Sequence, residues 1–340
     1  MGSLNFFWFC LLICGLHRTF TMSLTIGINP TIMAMHEQWM AKHGRIYKSS
    51  EDKEYRLKIF AENLDFIRSF NNNGTRSYKL AINRFAEMTN EEFKAFQTGF
   101  SKPLEAPDNS SFRYANVTDV PPSMDWRSKG AVSPIKNQGR CGSCWAFAAV
   151  AAIEGIIQIK ENILVSLSEQ EILACDQGNN GCAGGFAYEA FKYVLDNGGL
   201  ITEDDYPYEK ANGTCKTVKG GEGGSNYKAK INGRERVPAN NESELVKAVV
   251  NQPVVFAIDS TGRNFQFYAG GIFTGGCGTV LDHEVTAVGY GEDEYGTKFW
   301  ILKNSWGIGW GEMGYMRLLR NVKPQEGLCG IAMDPSFPTI

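Results

Sequence analysis

The chain has 340 residues, of which 43% are hydrophobic and 21% are charged, and its formal net charge at pH 7 is −3. This length and apolar content exclude an intrinsically disordered protein and are sufficient for a large globular body or two domains. So small a net charge predicts neither nucleic acid nor an anionic membrane as a partner.

A short apolar run, LNFFWFCLLICGL, occupies residues 4–16. A helix needs roughly 20 apolar residues to cross a bilayer, and neither this run nor any later one is long enough. We interpret it as the core of a signal peptide that extends to about residue 24, although no Lys or Arg precedes it. A buried N-terminal strand is the alternative interpretation.

Two helices are predicted next, at residues 32–40 and 50–70, followed by a short helix at residues 90–96. On the second helix, residues spaced by three or four positions form one face: Arg56, Phe60, Asn63, Ile67 and Asn71. An Arg and two Asn on an apolar stripe predict that this face packs against a polar, specific surface. The Pro-, Ser- and Asn-rich residues 99–122 are predicted to form an exposed linker that is open to proteolysis.

The composition changes after the Pro121-Pro122 pair. Residues 120–230 are rich in Cys and Gly and predict helices. Residues 231–340 contain strand-like runs at 253–258, 284–290 and 298–303, with Gly-rich turns between them. The sequence therefore predicts an α+β fold, with a helical half, a β half and the functional site between them.

The predicted secretion makes it possible to interpret the number of cysteines. Of nine cysteines, Cys10 and Cys14 fall in the predicted signal peptide, and the other seven lie beyond residue 140. Secretion exposes thiols to an oxidising environment, so an odd number predicts three disulfides and one free, reactive cysteine, with many pairings possible. The same route is compatible with N-glycosylation sequons, which occur at Asn73, Asn109, Asn116, Asn212 and Asn241.

The segment QGRCGSCWAF at residues 138–147 predicts a nucleophile, because Cys144 begins an apolar, helix-like run. The unpaired N–H groups and the macrodipole at a helix N-terminus favour a thiolate. The Gln138 amide is close enough in sequence to donate to an oxyanion. A redox pair or half of a zinc site at Cys141 and Cys144 is the alternative. Against these stand the lack of a second CxxC or His cluster and the turn-rich loop before the motif.

A base and an orienting group for Cys144 are predicted further along the chain. His283 is the only histidine after residue 120, so an imidazole base from this half must be His283. Asn304 follows the strand-like run at 298–303, and a hairpin would place its amide oxygen beside the His283 ring. Trp306 would then shield that hydrogen bond from water.

Residues 138–147, Leu281-Asp282-His283 and the segment KNSWGIGWG at 303–311 resemble papain-like cysteine peptidases of the plant senescence-associated and vacuolar type. The resemblance covers residues 30–340. It implies a papain-like two-lobed fold, with a helical left lobe and a β-barrel-like right lobe at residues 120–340, after an N-terminal helical, inhibitory prodomain at residues 30–119. It also implies Cys144 as nucleophile, His283 as base and acid, Asn304 as orienting residue, and Gln138 with the Cys144 backbone N–H as oxyanion hole.

The resemblance further implies the disulfides Cys141–Cys182, Cys175–Cys215 and Cys277–Cys329. It implies an extended substrate and a pocket for P2, the second residue before the scissile bond, that favours an apolar or aromatic side chain. Asp334, near the base of that pocket, is expected to admit a basic side chain as well. The implied substrate-binding residues are Gly184, Gly185, Phe186, Ala187, Ala257, Leu281, Asp282, Trp306 and Asp334.

In the front half, the Arg56 face resembles the long-helix motif of the inhibitory propeptide, with Asp52 in place of the usual Glu. Residues Ala81, Asn83, Phe85 and Glu87 resemble its second motif, in which Gly and Asp are usual at the first and last positions.

These features predict a thiol endopeptidase that is made as a secretory zymogen and activated by propeptide removal at acid pH. We expect it to act on proteins and peptides as a monomer, in a vacuole- or lysosome-like compartment or outside the cell. We expect cystatin-type inhibitors as partners and no metal or cofactor. The alternatives are a non-catalytic binding or storage protein, thiol–disulfide exchange at Cys141 and Cys144, and acyl transfer to an amine. Cys144, His283 and Gln138 are all present, which argues against the first of these.

Overall fold

A computed structural model of the chain describes residues 29–102, 112–216 and 229–340. The predicted signal peptide, the Asn109 sequon and the segment KGGEGGSN at residues 219–226, whose composition predicts a loop, lie outside the described residues. The chain divides into two compact units, one ending at Glu54 and one beginning at Tyr55. Within the described ranges, no helix has both the length and the apolar content that a membrane span requires.

The first unit contains helix α1 (Pro30–His43). The Asn29 side chain accepts a hydrogen bond from the Thr31 backbone N–H, and the helix ends at Gly44, which adopts the left-handed conformation that glycine allows. Tyr47 covers the buried His36, whose Nε2 lies 3.2 Å from the Tyr47 hydroxyl. The short helix predicted at 32–40 is therefore present and is longer than predicted.

Helix α2 (Ser50–Asn72) begins in the first unit and continues into the second, where strand β1 (Tyr78–Leu80) and helix α3 (Asn90–Gln97) follow. The polar residues of the α2 face hold the chain that leads into α3. Asn63 Nδ2 donates to the carbonyls of Ala86 and Met88 at 2.8 and 3.0 Å, and Arg56 pairs with Glu92 at 2.7 Å. The specific polar surface predicted for this face is thus the following segment of the same chain.

Helices α4 (Cys144–Glu161), α5 (Glu169–Cys175) and α6 (Ala187–Asn197) pack around one apolar cluster, which includes Trp145, Ile153 and Phe191. Two shorter helices, α7 (Glu242–Val249) and α8 (Arg263–Gln266), lie in the later part of the chain. The helices after residue 120 thus gather mainly in its first half, as the composition predicted.

The strands form one sheet in the order β1-β5-β8-β7-β6-β4-β9-β3, with β2 paired to β6. Every pairing is antiparallel except that of β5 with β8. The strands after β1 are β2 (Met124–Asp125), β3 (Gly233–Arg236), β4 (Val254–Ile258), β5 (Tyr268–Phe273), β6 (His283–Glu292), β7 (Lys298–Lys303), β8 (Tyr315–Leu319) and β9 (Ser336–Thr339). Helices followed by a largely antiparallel sheet make this the predicted α+β fold.

A buried ionic cluster ties β7 to the helical part of the chain. The Lys303 ammonium donates to the Ser133 hydroxyl at 2.6 Å, and Ser133 donates to Glu154 on α4. Lys136 contacts Glu169 at 2.8 Å and Glu154 at 3.2 Å. Removing one partner from such a buried cluster would cost about 3–5 kcal/mol, because a charge would be left uncompensated. The cluster therefore fixes the loop that leads to Gln138 and Cys144.

Three disulfides join cysteines of the described residues: Cys141–Cys182, Cys175–Cys215 and Cys277–Cys329. These are the pairs that the family resemblance implies. Cys144 is the free cysteine of the described ranges, and it is buried.

Most of the described residues between 99 and 122 are exposed, as expected of a linker, but two parts of this stretch pack against distant residues of the chain. The backbone of Gly99, Phe100 and Ser101 is hydrogen-bonded to the chain after residue 180. Tyr114 is half-buried, with its ring 5.3 Å from that of Phe337. Composition misled here because a few apolar residues among polar ones bury themselves on a surface that distant parts of the chain supply.

Candidate active site

Cys144 is the first residue of α4, and the loop before it is held in place by two contacts with Cys182. Cys141 is bonded to Cys182, and the Gly142 N–H donates to the Cys182 carbonyl at 3.0 Å. Ser143 makes no side-chain capping hydrogen bond, so the first turn of the helix is not closed by its own N-cap. In this first turn the Trp145 N–H interacts with the Cys144 thiol and favours the thiolate.

His283 and Asn304 are brought together by the antiparallel β6–β7 hairpin, as the sequence predicted. His283 Nε2 lies 2.8 Å from Asn304 Oδ1, and the same oxygen accepts from the Ser305 N–H at 2.7 Å. An amide oxygen only accepts, so this bond places a proton on Nε2. Nδ1, which has no hydrogen-bond partner among the described residues, is then the ring nitrogen available to a thiol.

The His283–Asn304 bond is enclosed by Trp306. The two rings of His283 and Trp306 stack with centroids 4.5 Å apart and an interplanar angle of 26°. Trp306 itself is fully buried. An aromatic cover of this kind keeps water from competing for the hydrogen bond, so the imidazole has one preferred orientation.

Burial controls the charge of both groups in this structure. It raises the pKa of the Cys144 thiol, although the backbone N–H groups of Glu284 and Trp145 act in the opposite direction. It lowers the pKa of His283 to about 4, against the effect of the Asn304 hydrogen bond. Both groups are therefore uncharged at neutral pH in the covered state of the site.

Gln138 is anchored to the loop that follows β7. Its Oε1 accepts from the Ser305 hydroxyl at 2.6 Å, and its backbone N–H donates to the Ser305 carbonyl at 2.8 Å. With the oxygen of the amide held in this way, Nε2 is left to donate on the Cys144 side, where it reaches the Cys141 carbonyl at 3.0 Å. A fixed neutral donor at this place suits an oxyanion.

The site is covered by residues 97–102, which we call the covering segment. The Gln97 carbonyl accepts from Gln138 Nε2 at 3.3 Å, and Gln97 Nε2 donates to the Gly139 carbonyl at 3.0 Å. Gly99 passes so close to Gly142 that a Cβ on residue 99 would lie 2.1 Å from the Gly142 oxygen. The Gln97 carbonyl thus accepts the hydrogen bond that Gln138 Nε2 would otherwise donate to the carbonyl of a reacting substrate.

Main-chain hydrogen bonds hold the covering segment to predicted substrate-binding residues. The Gly185 N–H donates to Gly99 at 2.8 Å, and the Ser101 N–H donates back to Gly185 at 2.8 Å. The N–H groups of Gly99 and Phe100 both donate to the Asp282 carbonyl at 2.9 Å. Gly184 has a φ of 119°, and a side chain there would strike the Gly99 carbonyl. This part of the cleft therefore binds an extended backbone.

The predicted P2 residues lie where β4, β6 and α6 begin or end. Phe186, Ala187 and Ala257 are fully buried and Leu281 is half-buried. The Phe100 ring packs edge-on against Phe186 at 5.7 Å. Asp334 is buried and pairs with Arg236 at 2.5 Å and with Lys102 of the covering segment at 3.0 Å.

The sequence did not single out four residues that contribute to this site. Ser305 anchors Gln138, Gln97 occupies its amide, Arg236 pairs with Asp334, and Glu284 is buried beside Ala187. Only Glu284 carried a local signal, because an acidic residue is unusual at the start of the otherwise largely apolar run at 284–290. The other three act through contacts with distant residues.

Comparisons with known proteins agree with this geometry. Residues 120–339 match the family described as "Papain family cysteine protease", and residues 36–93 match the "Cathepsin propeptide inhibitor domain (I29)". The chain is 47% identical to the senescence-specific cysteine protease SAG39 of Oryza sativa subsp. japonica over 336 residues, which are 97% of this chain and 96% of that protein.

Two solved structures of precursors have a similar fold. A recombinant stem bromelain precursor has a TM-score of 0.83 and 46% sequence identity, and the match covers 91% of this chain and 99% of that one. The proform of the ragweed pollen allergen Amb a 11 has a TM-score of 0.83 and 44% identity, with 91% and 94% coverage. The chain therefore belongs to the papain family of cysteine endopeptidases and, since it carries the inhibitory propeptide of that family, it is a zymogen.

Proposed function

We propose that this zymogen, once its propeptide is removed, hydrolyses peptide bonds through a thioester on Cys144. His283 acts as base and acid, Asn304 orients it, and Gln138 and the Cys144 backbone N–H bind the oxyanion. The observation that carries this proposal is the 2.8 Å contact between His283 Nε2 and Asn304 Oδ1, which leaves Nδ1 of the ring for the thiol.

The reaction proceeds in two stages. Cys144 first gives its proton to His283 Nδ1. The thiolate then attacks the peptide carbonyl carbon, and the carbonyl oxygen takes the negative charge in front of Gln138 Nε2. The C–N bond then breaks, and the leaving amine takes the proton from His283. In the second stage His283 removes a proton from water and the hydroxide attacks the thioester carbon. The C–S bond then breaks, the acid is released, and the Cys144 thiolate is again paired with protonated His283.

The covering segment keeps the zymogen inactive in two ways. It fills the Gln138 donor with the Gln97 carbonyl, and it excludes water from Cys144 and His283. Burial favours the neutral thiol and the neutral imidazole, whereas the attacking species is a thiolate. Removing the segment admits water, so the charged pair becomes accessible.

Within this proposal the P2 pocket prefers an apolar or aromatic side chain and also admits a basic one. The apolar walls formed by Phe186, Ala187 and Ala257 support the first preference, and the edge-on packing of Phe100 against Phe186 shows an aromatic ring at this wall. Asp334, which already binds the Lys102 ammonium at 3.0 Å, supports the second.

The chain is further proposed to enter the secretory pathway and to act as a monomer, in a vacuole- or lysosome-like compartment or outside the cell. Its three disulfides support an oxidising compartment. Among the described sequons, we favour Asn73 and Asn116 for glycosylation, because both are exposed. The side chains of Asn212 and Asn241 accept backbone hydrogen bonds within the fold. Its own propeptide, protein substrates and cystatin-type inhibitors are the proposed partners.

Acidification of the purified precursor in mild reductant tests the proposed function. The chain is expected to shorten to one that begins near residue 120, to take one thiol-reactive peptidyl epoxide at Cys144, and to cleave a substrate with Phe at P2 and Arg at P1. Mass spectrometry and fluorescence follow the three events. A processed, folded chain that takes no label would instead favour a non-catalytic binding protein.

The response to acid is expected to depend on Glu92, which caps α3 and pairs with Arg56. The hydrogen bond from Arg56 lowers the pKa of Glu92. A carboxyl whose pKa is lower in the folded state stabilises that state above its unfolded pKa, and this stabilisation is lost as pH falls through the folded pKa. Glu92→Gln, which cannot carry the charge, is therefore expected to process at a higher pH than wild type.

The processing rate of the precursor as a function of pH measures this shift. Glu62→Gln is the matched control, because Glu62 is an exposed acid on the neighbouring helix α2. An identical pH midpoint for wild type, Glu92→Gln and Glu62→Gln would show that the Arg56–Glu92 pair is not part of the acid response.

A further inference from the structure

A buried carboxyl group lies at the wall of the P2 pocket. Glu284 follows His283 on β6, and its side chain is 1% exposed. Its Oε2 accepts from the N–H of Ala187, the first residue of α6, at 2.9 Å. Its Oε1 is buried and has no hydrogen-bond partner among the described residues. An unpaired acceptor in a dry site is unfavourable, so this oxygen favours a donor brought by a ligand.

No cation of the described residues is paired with Glu284. Burial raises the pKa of Glu284, as does the nearby Asp334, whereas the Ala187 N–H and Arg236 on β3 lower it, so a further cation beside the carboxyl would favour its charged form. Arg236 already pairs with Asp334 at 2.5 Å. Of the two acids, Asp334 therefore has a resident cation and Glu284 does not.

The covering segment of the zymogen shows that this region accepts a cation beside an apolar wall. Lys102 places its ammonium 3.0 Å from Asp334 and 5.7 Å from the centre of the Phe186 ring. This ammonium leaves with the propeptide. The mature pocket then keeps both acids and only Arg236 to balance them.

We propose that Glu284 is a specificity-determining residue of the mature enzyme, whose free oxygen accepts a hydrogen bond from a basic P2 side chain. An arginine or lysine at P2 supplies the missing positive charge and the missing donor together, and such charge-assisted bonds are stronger than neutral ones. A neutral P2 side chain either leaves Oε1 without a hydrogen bond or donates one from an uncharged group, which is weaker. Sites with a buried polar group discriminate against ligands that leave it unpaired. This inference rests on the proposed peptidase activity.

Two substrates that differ only at P2, one with arginine and one with its uncharged isostere citrulline, test the proposal on the wild-type enzyme. We expect kcat/KM to favour arginine by about tenfold or more, as befits a charge-assisted contact in a dry pocket. Because the pair measures the effect of the charge without any substitution in the protein, it remains informative even where a variant fails to fold. Equal hydrolysis of the two substrates overturns the proposal.

Variants then identify the responsible acid. Glu284→Gln keeps an amide oxygen for the Ala187 N–H but removes the charge, and we expect the arginine preference to fall to about twofold or less. Asp334→Asn is expected to lower it less, since Arg236 already compensates Asp334. Glu244→Gln is the matched control, because Glu244 pairs with Lys247 within α7. Peptidyl epoxide titration counts the active sites in each sample.

The outcomes separate this inference from the proposed function. Wild-type enzyme that hydrolyses neither substrate overturns the peptidase proposal itself. Enzyme that hydrolyses both, with a preference that Glu284→Gln leaves unchanged or that Asp334→Asn alone abolishes, overturns only the role of Glu284.

Discussion

Replacing the nucleophile by serine, Cys144→Ser, is expected to lower kcat/KM for peptide hydrolysis by at least about 10⁴-fold. A serine hydroxyl is far less acidic than a thiol and must lose its proton to the base during attack. In the covered precursor His283 is in addition a weak base, because burial lowers its pKa to about 4. Asn304 orients the ring but has no charge to stabilise an imidazolium, so the pair suits a thiol and not an alcohol.

Self-processing provides the clearest measurement of this effect. The Cys144→Ser precursor is expected to remain at full length in acid, to take no peptidyl epoxide, and to be cut only when active enzyme is added. Cys144→Ala is the control and is expected to lose as much activity as Cys144→Ser. A serine variant that processes itself would show that Cys144 is not the nucleophile.

The variant Gln138→Ala is expected to lower kcat by about 10²–10³-fold with little change in KM. The Gln138 amide is positioned before any substrate arrives, since Ser305 holds its Oε1 at 2.6 Å and Nε2 is directed to the Cys144 side. A donor that is already in place acts mainly on the charge that develops during attack, and so it affects the rate more than ground-state binding. The Cys144 backbone N–H remains and accounts for the residual rate.

Steady-state kinetics on the processed enzyme measures this change. Ser305→Ala is the matched control, because it removes the hydroxyl that anchors the amide and leaves the amide itself. We expect a smaller loss from Ser305→Ala than from Gln138→Ala. A loss confined to KM in Gln138→Ala, or a larger loss in Ser305→Ala, would contradict an oxyanion role for Gln138.

Residue counts and local patterns were enough to identify the candidate residues for chemistry. The role of His283 followed from there being no other histidine after residue 120. The role of Cys144 followed from the odd number of cysteines, which leaves one unpaired, and from its position at the start of an apolar run. Helix α2 and strands β4, β6 and β7 were also predictable in large part, because hydrophobic periodicity and local capping or turn residues specify such elements over short stretches. Strand β5 was not predicted.

Long-range contacts in the folded chain, which no local pattern indicates, define the segment that covers the site and the residues that hold its side chains in place. Residues 99–101 have the composition of a linker, yet they bind Gly185 and Asp282 through backbone groups, which no side-chain pattern reports. Ser305 and Glu284 are ordinary polar residues in the sequence. Their importance depends on Gln138 and Ala187, each about a hundred residues or more away along the chain. The Ser305–Gln138 and Ala187–Glu284 hydrogen bonds form only when the helical part and the sheet pack together, because each part supplies one partner of each bond.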